Sequence, residues 1–172
     1  MSSSTPDVIS AAVLTVSDSC ARGERSDLSG PALADALARS GFHIISRQVV
    51  PDDQTVIQKS LIQLTSQARL VVSTGGTGIA ARDVTPEATR AVCDRLLDGV
   101  AEHMRLEGSK KTPFAVLSRG VCGVRGKSLV LNVPGSPKGA VESLEAVIGL
   151  LPHALQLLDG KTTHDFPQAC NV

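Results

Sequence analysis

Short runs of Val, Ile and Leu recur along the chain, separated by longer stretches in which apolar residues return every three or four positions. The first pattern is that of strands buried on both faces, the second that of helices laid over them. Residues 9–16 read as a first strand, and 31–40 as a helix with Leu33, Ala34, Leu37 and Ala38 on one face, closed by Gly41. Residues 42–50 read as a second strand, 53–67 as a helix carrying Val56, Ile57, Leu61 and Leu64, and 70–74 as a third strand. Thr85-Pro86 marks another helix start, with Thr as N-cap and Pro in the first helical position, and that helix runs toward Cys93. A further helix is expected within 98–106. Strands are expected at 113–117 and 127–133, separated by a glycine-bearing turn at 120–126. The last long helix carries Val141, Leu144, Val147, Ile148 and Leu151 on one side. This β-α-β-α-β order predicts an α/β fold with a parallel sheet covered on both faces.

Length changes this picture little: 172 residues suit one domain, with a core over about 9–160 and loosely ordered ends. Lys+Arg 17 balance Asp+Glu 17, so no overall field draws the chain to nucleic acid or to an anionic membrane, and any anion must be captured locally. With no Trp or Tyr and only Phe42, Phe114 and Phe166, stacking surfaces for single-stranded nucleic acid are nearly missing. No uninterrupted apolar stretch reaches the roughly 20 residues of a membrane span. Cys20, Cys93, Cys122 and Cys170 form no C-x-x-C pair, and the first residues lack a secretory pattern, so reduced thiols in the cytoplasm are expected.

Candidate chemistry sits on loops that follow strands. Thr74-Gly75-Gly76-Thr77-Gly78 follows the third strand, where open α/β sheets place ligands, and its glycines let backbone N–H groups converge on a phosphate. A plain tight turn is the alternative. The overlap with a dinucleotide fingerprint at Gly76–Ala81 fails, because Arg82-Asp83-Val84-Thr85-Pro86 postpones the helix. Gly126-Lys127-Ser128 fails as a P-loop, because a strand follows it. Asp83 lies next to any phosphate held by the glycine loop, which calls for a magnesium ion between them, or else it caps the following helix. Asp52 ends the second strand on the same sheet edge, with Asp53 the more natural cap for the helix after it. Gly135, Ser136, Pro137 and Lys138 form a second anion loop or a rigid capped turn, and Ser118-Arg119 ends another expected strand.

Taken in order, Val16-Ser17-Asp18, residues 27–31, Val50-Pro51-Asp52, the Thr74 to Gly78 loop, Arg82-Asp83-Val84-Thr85-Pro86-Glu87-Ala88-Thr89, Leu117-Ser118-Arg119 and Pro134-Gly135-Ser136-Pro137 resemble the molybdopterin adenylyltransferase family of MogA and MoaB type, which includes the gephyrin G domain. The resemblance spans residues 10–160. It implies a three-layer α/β sandwich with a mostly parallel central sheet, assembled as a homotrimer. It further implies transfer of AMP from Mg-ATP to molybdopterin, with Asp52 and Asp83 as catalytic, Mg2+-holding residues. Thr74, Gly75, Gly76, Thr77, Gly78, Ser118, Arg119 and the Gly135 to Lys138 loop would then bind substrate phosphates. The molybdenum insertase of the pathway is the implied partner. The same resemblance admits a MoaB-like trimer that binds molybdopterin or its precursor without turnover.

Overall fold

In a computed structural model that describes residues 8–160, six strands form one sheet in the order β2-β1-β3-β6-β5-β4. The strands are β1 (Ser10–Val16), β2 (His43–Val50), β3 (Leu70–Thr74), β4 (Arg95–Leu96), β5 (Cys122–Arg125) and β6 (Ser128–Val133). β2, β1, β3 and β6 run parallel, and β5 and β4 continue the sheet by antiparallel pairing. The expected terminal tails lie outside the described residues.

Alternation along each central strand divides the core in two. Ala11, Val13, Leu70, Val72, Leu129 and Leu131 face α2 (Ser29–Arg39), α5 (Asp98–Ser109), α6 (Pro137–Val147) and α7 (Leu151–Leu158). Ala12, Leu14, Val71 and Val130 face α3 (Gln54–Thr65) and α4 (Thr85–Val92). Helices on both faces of one sheet make the three layers. Pro137–Leu158 is a continuous helical run whose length and mean hydropathy of 1.3 match a membrane span by composition alone. Its Ala140, Leu144, Val147, Leu151 and Leu155 are packed in the core, and Lys138 and Glu145 are exposed.

Some elements differ from the sequence pattern. On α2 the buried residue is Ala36, and Ala38 is exposed. At about 100° per residue Ala38 lies some 120° from the face centred between Leu33 and Leu37, and Ala36 only about 80° from it. Residues 113–117 form a 3-10 helix instead of a strand: Pro113 has no N–H for a ladder, and Thr112 caps the segment by accepting from the Phe114 amide. The strand of that region is β5, inside the expected turn. Gly123 belongs there because a Cβ would stand 2.5 Å from the Cys93 Sγ. The hairpin turn is confined to Gly126-Lys127, with Gly126 at φ +56° in the position where two-residue hairpins accept glycine. The one-turn helix α1 (Asp18–Ala21) has no counterpart in the periodicity.

Cys93 and Cys122 are unpaired thiols, and burial pushes them up to about 11 and about 12, which keeps them protonated and inert.

Candidate active site

The chain leaves β1 for β2 in one direction and then crosses back over β1 to β3, with α2 and α3 on opposite faces of the sheet. Crossovers that part in this way leave a crevice beyond the carboxyl ends of β1 and β3, the usual ligand position in an open α/β sheet. The glycine loop occupies this crevice.

Gly75 and Gly76 have φ of +97° and +62°, conformations that side chains disfavour. Space forbids side chains as well: a Cβ on Gly75 would run into the Val16 carbonyl oxygen, and one on Gly76 into the Thr85 hydroxyl, with Asp52 Oδ1 at 3.2 Å. Neighbouring groups hold the loop. The Gly75 N–H donates to Val133 O (3.2 Å), Thr74 Oγ1 to Pro134 O (2.7 Å) and Thr85 Oγ1 to Gly75 O (2.9 Å). Thr85 is therefore the first residue of α4 instead of its N-cap, a position taken by Val84, because its buried hydroxyl is committed to the glycine loop. Among the described residues, the N–H groups of Gly76, Thr77 and Gly78 meet no protein acceptor, which leaves them available to an anion.

Asp83 does not cap α4. Its Oδ2 accepts from the Ala80 N–H (2.9 Å), and its own N–H donates to Ala80 O (2.9 Å), which folds residues 80–83 back so that the carboxylate lies against Gly78. Asp53 caps α3 by accepting from the Val56 N–H (2.9 Å), leaving Asp52 to the cavity. There Asp52 and Asp18 bind each other reciprocally: the Asp18 N–H donates to Asp52 Oδ2 (2.9 Å), and the Asp52 N–H to Asp18 Oδ1 (3.0 Å). Burial pushes the Asp52 carboxyl above the ordinary range. The Asp18 N–H opposes that shift, the charges of Asp18 and Asp83 add to it, and Arg82 offsets part of it.

Arg119 is placed differently from a phosphate clamp. Its Nε donates to Gly78 O (2.7 Å), and its remaining guanidinium nitrogens go to Asp83 O and to the Glu87 carboxylate. The fork is thus committed to holding the loop between β3 and α4, and the Glu87 carboxyl is held below its usual range by the Arg119 hydrogen bond. Ser136 caps α6 by accepting from the Gly139 N–H (3.2 Å), with Pro137 in the first turn, as the sequence suggests. A Cβ on Gly135 would stand 3.3 Å from Gly75 Cα, so this loop abuts the glycine loop.

Two cavities flank the glycine loop and share Gly76, Asp83 and Gly135 in their walls. One, of about 220 Å³, is polar: Asp52, Asp83, Asp27, Arg25, Arg82 and Thr74 line it. The other, of about 530 Å³, has Ile79, Phe114 and Leu117 on its wall beside Thr77, Gly78, Ser118 and Ser136. Lys138 and Arg119 line neither. An opening of about 570 Å³ lies at the opposite end of the sheet, where Arg69 and Lys127 face Asp159. Its walls include Asp94 but none of the glycine-loop residues, Asp52 or Asp83. Sequence reasoning missed Asp18, Asp27, Arg25 and Arg82. The signal for Asp18 was its position after β1, equivalent to that of Asp52 after β2; for Arg82 it was adjacency to Asp83.

Residues 12–153 match the family model described as a probable molybdopterin binding domain. The molybdopterin adenylyltransferase of Helicobacter pylori strain J99 is 44% identical over 155 residues, covering 86% of each chain. That of Escherichia coli K12 is 36% identical, covering 91% of this chain and 88% of its own. The crystal structure of the molybdopterin biosynthesis enzyme MoaB from Thermus thermophilus superposes with a TM-score of 0.84 at 51% identity, covering 90% of this chain and 98% of that one. Matched by the family model over residues 12–153 and by relatives covered over most of their length, the chain belongs to the molybdopterin-binding domain family.

Proposed function

We propose that the protein transfers AMP from ATP to the terminal phosphate of molybdopterin, giving adenylyl-molybdopterin and pyrophosphate. The observation that carries this reading is the pair of carboxylates, Asp52 from the loop after β2 and Asp83, beside a glycine loop that lies between a polar and a more apolar cavity. A reaction joining two phosphorylated molecules needs two adjoining compartments, with charge control where they meet.

A substrate phosphate oxygen attacks the α-phosphorus of ATP, the bond to the bridging oxygen breaks, and pyrophosphate leaves. No side-chain nucleophile is required. The free amides of Gly76, Thr77 and Gly78 take up phosphate charge, Arg25 and Arg82 line the compartment suited to the pyrophosphate, and Ser118 and Ser136 line the other. Asp52 and Asp83 fit magnesium in donor chemistry: both are hard oxygen donors lining one cavity, and that ion takes few protein ligands. Asp52 and Asp83 would hold the ion, which would supply neutralisation of phosphate charge during the transfer. On the same reading the protein is a cytoplasmic homotrimer that passes its product to the molybdenum insertase.

Anaerobic incubation with molybdopterin, ATP and magnesium, followed by mass spectrometry, tests this directly. Adenylyl-molybdopterin that requires magnesium is expected. Tight molybdopterin binding without product would overturn the transfer reading in favour of a trimer that binds molybdopterin or its precursor without turnover.

A further inference from the structure

Asp18, at the start of α1, and Asp52, in the loop after β2, lie 34 positions apart, yet each backbone N–H is bound by the other residue's carboxylate. The strands bring them together: Val16 is in register with Val50, and the Ser17 N–H extends the ladder to Val50 O at 2.9 Å. Local capping does not account for the arrangement, because Ser17 caps α1 by accepting from the Cys20 N–H and Asp53 caps α3. The ring takes one oxygen of each carboxylate. Asp52 Oδ2 is held by the Asp18 amide, which turns Oδ1 toward Gly76 and the polar cavity.

We propose that Asp18 is a positioning residue for AMP transfer: its carboxylate and amide clamp the Asp52 backbone and side chain in the one orientation that presents Asp52 Oδ1 to the cation and phosphates beside the glycine loop. This rests on the adenylyltransferase reading and adds to it a residue that acts through Asp52. What the clamp requires is an acceptor of the right length at position 18. It does not require a negative charge there.

Three variants of the full chain separate geometry from charge. Asp18→Asn keeps an oxygen at the length that accepts from the Asp52 N–H, Asp18→Glu keeps the charge but carries it one methylene too far, and Asp18→Ala has neither. Two quantities are read: Mn2+ binding in the presence of a non-hydrolysable ATP analogue, by electron paramagnetic resonance, and the kcat and KM of AMP transfer. Asp18→Ala and Asp18→Glu should each lose about thirtyfold in kcat, with weakened Mn2+ binding and ATP KM within about threefold, as when a charge-assisted contact orienting a reacting group is lost. Asp18→Asn should remain within about threefold of wild type in both readouts. If Asp18→Ala fails to fold, the opposite behaviour of the Asn and Glu variants still decides the matter. A Glu variant that matches wild type while the Asn variant fails would overturn the clamp in favour of a charge requirement, and wild-type behaviour of all folded variants would overturn it outright. A wild-type chain that binds Mn2+ with the analogue but transfers no AMP would overturn the adenylyltransferase reading alone, since Mn2+ binding across the variants would still decide the clamp. A wild-type chain that binds no Mn2+ would overturn both.

Discussion

Replacing Thr85 with valine exchanges one hydroxyl for a methyl group at a fully buried position, so it creates no cavity and isolates a single hydrogen bond. In the native protein that hydroxyl donates to Gly75 O at 2.9 Å, and the Thr85 N–H donates to Gly76 O at 3.1 Å. The variant keeps the second bond and loses the first, leaving a buried carbonyl short of its partner at a cost of about 1–3 kcal/mol. A methyl carbon also needs about 3.3 Å or more from a carbonyl oxygen, so the loop must retreat by roughly 0.4 Å. At about 2–4 °C per kcal/mol for a chain of this size, melting should fall by about 2–12 °C. Because Gly76 lies against Asp52 Oδ1, the retreat should also lower AMP transfer by about tenfold, with little change in the affinity for molybdopterin. Thermal unfolding by circular dichroism and a steady-state transfer assay measure both effects, with Thr85→Ser as the control that keeps the hydroxyl. A valine variant that melts within about 1 °C of wild type and turns over normally would refute the argument that this hydroxyl pins the loop.

Other substitutions probe the remaining walls. Asp83→Ala should abolish AMP transfer while leaving the circular dichroism spectrum and oligomer size unchanged, and wild-type transfer would remove Asp83 from the mechanism. Asp52→Asn should abolish transfer yet stabilise the fold at neutral pH: the carboxyl is raised by burial, so its contribution to stability is present when it is protonated and is lost as pH rises through its folded pKa. Melting curves from pH 3 to 8 should show the Asn variant ahead at pH 7 and level with wild type below the ordinary carboxyl range, and a gain that is largest at low pH would contradict the sign. Arg119→Lys cannot serve Gly78 O, Asp83 O and Glu87 together; losing carbonyl contacts as well as part of a half-exposed ion pair should cost about 1–3 kcal/mol and lower melting by about 2–12 °C while transfer drops about tenfold through a looser loop, and unchanged transfer would count against the holding role.

How much of this was legible depended on whether one stretch of chain carried its own signal. β1, β3 and β6 are buried on both faces, so short runs dominated by Val, Leu and Ala announced them, and the turn chemistry of Asp53 and Ser136 named their helix caps correctly. The run Pro113–Leu117 misled because apolar content alone does not separate a strand from a short helix. Phe114 and Val116 are exposed, and Ala115 packs against Gly108 of α5 instead of joining the sheet. β5 was hidden by Gly123, whose missing side chain makes room for Cys93, a contact with a residue thirty positions earlier. At the site, the glycine loop and Asp83 stand in one continuous motif and could be read directly. The Asp18–Asp52 ring, which depends on β1–β2 register, and the three-way engagement of Arg119, which depends on where a later loop returns, could not.

If the glycine loop takes the phosphates as proposed, the bonds that hold it explain why so little side-chain chemistry suffices. Each of its anchors comes from a different place in the fold: Val133 and Pro134 at the end of β6, Thr85 at the start of α4, and Arg119 before β5. The anchors at Thr74, Gly75 and Gly78 leave the amides of Gly76, Thr77 and Gly78 without protein acceptors among the described residues, so the fold fixes the loop without using the donors that a phosphate needs. A loop ordered before the ligand arrives spares binding the entropy of ordering it, and donors that need not reorient can stabilise charge as it develops on a transferring phosphoryl group. The same logic places the acidic residues. Asp83 is held by its own turn and Asp52 by Asp18, and the rise of the Asp52 carboxyl comes first from its burial, to which the charges of Asp18 and Asp83 add.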